Sequence, residues 1–147
     1  MAALIVLLDQ ITKFAAVIYL KGRMPYVIIE NFFQFQYVEN FGAAFGILQN
    51  RKIFFIVITS LVIISIVLFV IKNSHNLSLL MKIALFMLLG GAIGNLIDRV
   101  RLGYVIDFIS FKFGKVYNFP VFNIADVFIV VGTFLIMLLV IFNKYEI

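Results

Sequence analysis

Ile53 to Ile71 is a run of nineteen residues with no charge and only Thr59, Ser60 and Ser65 as polar interruptions. A bilayer's hydrocarbon core is about 30 Å thick and takes roughly 20 helical residues to cross, so this run is read as a membrane-spanning helix. Leu77 to Ile97 and Ile124 to Phe142 are of the same kind, and Met1 to Tyr19 is a weaker fourth span, interrupted by Asp9, Gln10 and Lys13. The first stretch has neither the basic start nor the small-residue cleavage site of a signal peptide, so it is expected to remain with the protein. Four spans put both termini on one side together with the short 72–76 turn. Residues 20–52 and 98–123 then share the opposite side.

The expected fold is an all-α membrane protein: one domain over residues 1–147, with four transmembrane helices (about 1–19, 53–71, 77–97 and 124–142), a small β-sheet and a short helix or loop outside the bilayer. Composition agrees, because 65% of the residues are hydrophobic and 13% charged, against about a quarter charged in an average soluble domain. The absence of cysteine excludes disulfides, thiolate nucleophiles and cysteine metal sites, and the single His75 has no partner for a Ser-His or multi-histidine centre. No metal and no cofactor are expected. The net charge of +5 comes from scattered cations without an aromatic-basic platform, which fits anionic lipid headgroups rather than nucleic acid.

Cation placement bears on orientation. Lys21, Arg23, Arg51, Lys52, Arg99, Arg101, Lys112 and Lys115 fall on the side of the long loops, against Lys72, Lys82 and Lys144 on the other. Taken alone, the positive-inside rule puts the long loops in the cytoplasm. Some of these cations belong to polar motifs, however, and only eight residues precede Asp9, so the count is a weak guide.

Between the first two spans, Glu30 to Val38 alternates aromatic and polar residues for part of its length, the pattern of a half-buried strand at the membrane surface. It is either a simple interfacial hairpin or a cradle that shapes a substrate. Four polar motifs fall on the same side. Asp9 and Lys13 are one helical turn apart and are expected either to pair or to leave Lys13 snorkelling towards the interface. Asn40 to Gly46 is a turn of small residues in which backbone is able to approach a ligand closely. Gly90 and Gly94 have the spacing of close helix packing. Asn95, Asp98 and Arg99 share the face that follows, as a polar cluster or as a helix-ending salt bridge.

The last motif carries two carboxylates beside the most apolar part of the chain: Asp107 in Gly103 to Phe108, and Asp126 in Asn123-Ile124-Ala125-Asp126. Ionisable groups there are costly and mark function. Asp126 by itself also reads as the third residue of a helix capped by Asn123. With Pro120 between them, the two acids meet only if the intervening loop folds back over the bilayer surface.

The stretches DQxTK at Asp9 to Lys13, NxGAAF at Asn40 to Phe45, GNxxDR at Gly94 to Arg99, the VxDF-like run around Asp107 and FNxAD at Phe122 to Asp126 occur in the order seen in bacterial lipoprotein signal peptidases, also called signal peptidase II. The chain resembles that family over nearly its whole length. The resemblance implies a membrane aspartic endopeptidase that removes the signal peptide from diacylglyceryl-modified prolipoproteins at the lipobox cysteine. Asp107 and Asp126 match its catalytic pair, and Asn40, Gly42, Asn95, Arg99 and Asn123 match residues that line the site. Asp9, Lys13 and Asp98 match supporting positions. It further implies a multi-pass protein of the bacterial cytoplasmic (inner) membrane, a monomer, with both termini cytoplasmic and the site near the extracytoplasmic face, which overrides the charge count. Its partners are lipid-modified prolipoproteins and membrane lipids.

Two neighbouring carboxylates do not both ionise cheaply, so the pair is expected to share a proton and activate water. The carboxylates should lie within direct or one-water hydrogen-bond reach, about 2.6–3.2 Å per link. Phe108, Phe111, Phe113 and Tyr117 are candidates to cover the site. The alternative class is a small ion or proton translocator, or a non-catalytic subunit of a membrane complex. It is disfavoured because the ionisable residues gather near one end of the spans, with Lys82 the exception.

Overall fold

α3 (Leu79–Arg101) is the central element of the computed structural model, which describes residues 1–42, 51–113 and 117–146. It packs against α1 (Ala2–Leu20), α2 (Lys52–Asn73) and α4 (Ile124–Ile141). Half of its most apolar window is buried, against 6% for α2, whose apolar surface faces outward and would be covered by lipid. All four helices are long and apolar enough to cross a membrane.

Glycines decide how closely the helices approach. A β-carbon on Gly90 would lie 2.8 Å from Ile5 Cβ of α1, and one on Gly94 would lie 2.6 Å from Asp9 Oδ2. One on Gly91 would collide with the backbone carbonyl of Ala125 in α4. The sequence motif named Gly90 and Gly94, and Gly91 adds a second contact face, so α3 is clasped on two sides by small-residue packing.

The C-terminal segment and the 74–78 turn lie at one end, whereas the start of α1 lies beside Gly90, midway along α3. Leu77 bridges to Glu146, Ser78 N–H donates to the Tyr145 carbonyl at 2.9 Å, and Ser78 caps α3 by accepting from Met81 N–H. Ile66, Leu77, Met81, Leu85, Leu89 and Leu139 form the core there.

At the other end stands a four-stranded antiparallel sheet in the order β1 (Tyr26–Ile29), β2 (Phe33–Asn40), β3 (Val105–Phe113), β4 (Tyr117–Asn118). The strand expected over Glu30 to Val38 is displaced towards Asn40. Glu30 to Phe32 form a turn, because Asn31 takes a left-handed backbone conformation (φ 58°) that asparagine tolerates and an extended run does not. The segment after α3, expected as a loop, is the β3–β4 hairpin. The third span also continues to Arg101, beyond its expected end at Ile97, because Asp98, the first charge after the apolar run, is buried and paired with Lys13.

Tyr26, Val27, Ile28 and Ile29 of β1 are all exposed. The phenylalanines stack on one another: Phe33 on Phe111 at 4.9 Å and Phe111 on Phe122 at 6.1 Å between centroids.

Candidate active site

The chain before α4 is drawn back along β3. Phe122 N–H donates to the Ile109 carbonyl at 3.0 Å, while Phe108 and Ile109 N–H donate to the Phe122 carbonyl at 3.0 and 2.9 Å. This pairing delivers Asn123, the N-cap of α4, to Asp107 on β3. Asn123 is wholly buried, and its Nδ2 donates to Asp107 Oδ1 at 2.7 Å.

The cap and the candidate site are therefore the same atoms. Asn123 Oδ1 accepts from Asp126 N–H at 3.0 Å and Asp126 Oδ2 accepts from Asn123 N–H at 3.2 Å, a reciprocal capping box. The other oxygen, Oδ1 of Asp126, accepts from Asn95 Nδ2 at 2.7 Å. Asn123 thus touches both carboxylates, and its Nδ2 also donates to Asn95 Oδ1 at 3.2 Å.

Asp107 is supported on its second oxygen by Asn40 Nδ2 at 2.9 Å, from the end of β2. Asn40 Oδ1 in turn accepts from Gly42 N–H at 3.0 Å. Ala43, Ala44, Phe45 and Gly46 of that turn lie outside the described residues. Burial pushes the Asp107 carboxyl up to about 7, aided by the charge of Asp126 and opposed by the amides of Asn40 and Asn123. With 1% of its surface exposed, Asp107 has little access to water.

Below the pair lies a buried ionic cluster. Lys13 forms ion pairs with Asp9 at 2.9 Å and Asp98 at 2.8 Å and is 1% exposed, so it does not snorkel. Asp98 pairs with this lysine rather than with Arg99, and its Oδ2 also accepts from Ile106 N–H at 3.1 Å, pinning the start of β3 to α3. Asp9 Oδ1 accepts from Ala125 N–H at 3.0 Å, so a carboxylate from α1 satisfies a first-turn amide of α4. Gln10, which sequence reasoning quoted without assigning a role, donates to Asp98 Oδ1 at 3.0 Å and to the Gly94 carbonyl at 3.3 Å. Its signal was position: in the motif it stands between Asp9, which reaches α4, and Lys13, which reaches α3.

Arg99 stands at the rim. Its Nη2 donates to the Gly42 carbonyl at 3.3 Å, and its guanidinium lies 5.0 Å over the Phe55 ring. Phe108, expected among the covering aromatics, is instead buried with Ala16 and Ile106 beneath the sheet. Phe113 and Tyr117 are exposed and stacked at 6.3 Å.

Residues 1–142 match the family described as Signal peptidase (SPase) II. A protein of Caldanaerobacter subterraneus subsp. tengcongensis named Lipoprotein signal peptidase is 55% identical over 142 residues, covering 96% of this chain and 93% of its own. A Clostridium tetani protein of the same name is 43% identical over 136 residues, covering 92% and 86%. Two solved structures of a bacterial membrane enzyme share the fold. One, at 2.3 Å resolution, has a TM-score of 0.85 and 36% identity over 97% of this chain and 86% of its own. The other, at 1.9 Å, has a TM-score of 0.81 and 38% identity over 95% and 88%.

Proposed function

This chain belongs to the signal peptidase II family, and from that membership we propose that Asp107 and Asp126 are the catalytic pair of an aspartic endopeptidase acting on diacylglyceryl-modified prolipoproteins. The observation that carries the reading is Asn123, which donates to one carboxylate through its side chain and to the other through its backbone. A single buried residue thereby fixes two acids from different elements relative to each other.

In the proposed reaction one carboxyl is protonated and the other ionised. Burial and the charge of Asp126 raise the Asp107 carboxyl, which favours a pair that holds one shared proton. The ionised partner draws a proton from a water molecule, whose oxygen attacks the scissile carbonyl while the protonated acid donates to the carbonyl oxygen. The tetrahedral diol collapses as the C–N bond breaks and the dyad delivers a proton to the leaving amine. Water supplies the hydroxyl of the new carboxyl group, so no covalent enzyme intermediate is involved. Asn40, Asn95 and Asn123 hold the acids, while Arg99 and the backbone at Gly42 receive polar groups of the substrate.

We further assign the sheet end to the extracytoplasmic face and both termini to the cytoplasm of a monomeric inner-membrane enzyme. A signal peptide's apolar core and the diacylglyceryl chains both partition into lipid, so an enzyme cutting between them needs its site at the bilayer boundary. The four helices and the exposed apolar β1 fit that placement. Purified protein should cleave a diacylglyceryl-modified prolipoprotein at least tenfold faster than its unmodified form. Equal or reversed preference would contradict the substrate assignment.

A further inference from the structure

The buried ammonium of Lys13 has three N–H groups and three acceptors: Asp9 Oδ2 at 2.9 Å, Asp98 Oδ2 at 2.8 Å and Asn95 Oδ1 at 2.9 Å. None is left over, so Lys13 is neither a nucleophile nor a proton carrier. The third acceptor is not a counter-ion. Asn95 is the residue whose other amide atom, Nδ2, holds Asp126 at 2.7 Å.

From this geometry we propose that Lys13 is a positioning residue: it locks the Asn95 amide in the one orientation that presents a donor to Asp126 and an acceptor to Asn123. The opposite orientation would set the Asn95 NH2 against the ammonium and the Asn123 NH2, and its oxygen against the Asp126 carboxylate. Both encounters are repulsive, and Lys13, Asn95 and Asn123 are buried, where mismatched polar atoms are most costly. The order then propagates. Asn123 Nδ2, shared between Asn95 Oδ1 and Asp107 Oδ1, keys the second acid to the same cation. One lysine on α1 thus sets the geometry of carboxylates on β3 and α4.

The inference rests on the dyad reading above. The charged groups facing the pair are Asp9 and Lys13 from α1, Asp98 and Arg99 from α3; Glu39 of β2 is engaged by Lys21 at 3.0 Å. Deleting Lys13 alone would strand two buried acids, so the test variant is K13M/D98N. Asp9, Lys13 and Asp98 together carry one negative charge, and the double variant keeps that sum in Asp9 alone. Monodisperse, folded K13M/D98N should show kcat lowered about 100-fold, the scale of a misplaced catalytic group, with KM within about twofold.

N95L should lose about as much, and K13M/D98N/N95L no more than either, as expected of residues acting through one link. Wild-type kcat in K13M/D98N, a loss that falls on KM rather than kcat, or losses that multiply in the triple variant would overturn the proposal. D126N run alongside separates the two readings. If D126N is inactive while K13M/D98N is active, only the role of Lys13 fails; an active D126N removes the dyad itself.

Discussion

Asp107 sits in an environment far from that of a free side chain. Its carboxyl ordinarily titrates near 3.8 and is raised to about 7 by burial and by Asp126. Between those values the folded protein holds a proton that the unfolded chain has released, so this group's contribution to stability falls as pH rises from about 4 to about 7. Asp107→Asn should therefore gain thermal stability relative to the parent across that window and hold a constant advantage above it. Melting curves in detergent from pH 4 to 8 read this directly, and a gap that narrows with rising pH would contradict the assignment. Arg99 belongs to the same scale. It holds Gly42, which holds Asn40, which holds Asp107. Arg99→Ala should weaken turnover of a lipidated substrate about 10–100-fold, the range of one lost charge-assisted hydrogen bond. Unchanged KM and kcat would remove it from the site.

Helix contact and helix capping are the element-scale causes of the site. Gly91 leaves no room for a side chain beneath the Ala125 carbonyl, and Ala125 immediately precedes Asp126. Gly91→Ala must push backbone against backbone, so α4 shifts and carries Asp126 with it. Melting temperature and kcat should fall together, and a variant that loses neither would show that the α3–α4 contact is looser than described. The hydropathy pattern made the four helices legible, since an uncharged run such as Ile53 to Ile71 has few alternatives. Their ends were less so: Asp98 and Arg99 signal a boundary by charge, whereas Asp98 is paired inside the bundle and the helix runs on. The strand character of Val105 to Phe113 was hidden for a related reason. Its first four residues are all buried, which erases the alternation that marks a half-exposed strand.

For the whole molecule, what no local pattern revealed was the pairing of Phe122 with Ile109, a long-range register that returns the α4 cap to β3. The five ordered motifs named most of the site residues, yet cap and candidate dyad read as competing accounts of Asp126, and folding makes them one arrangement. The ionic cluster of Asp9, Lys13 and Asp98 is closed on itself inside the bundle, which argues for a scaffold under the pair rather than for a path through the membrane. The central claim is that Asp107 and Asp126 act together, and it is tested most directly by single-turnover cleavage of a diacylglyceryl-modified prolipoprotein by Asp107→Asn and Asp126→Asn. Each folded variant should lose about 100-fold or more, the scale of a missing general acid or base, with bound substrate retained. Near-parental cleavage by either folded variant would contradict the account.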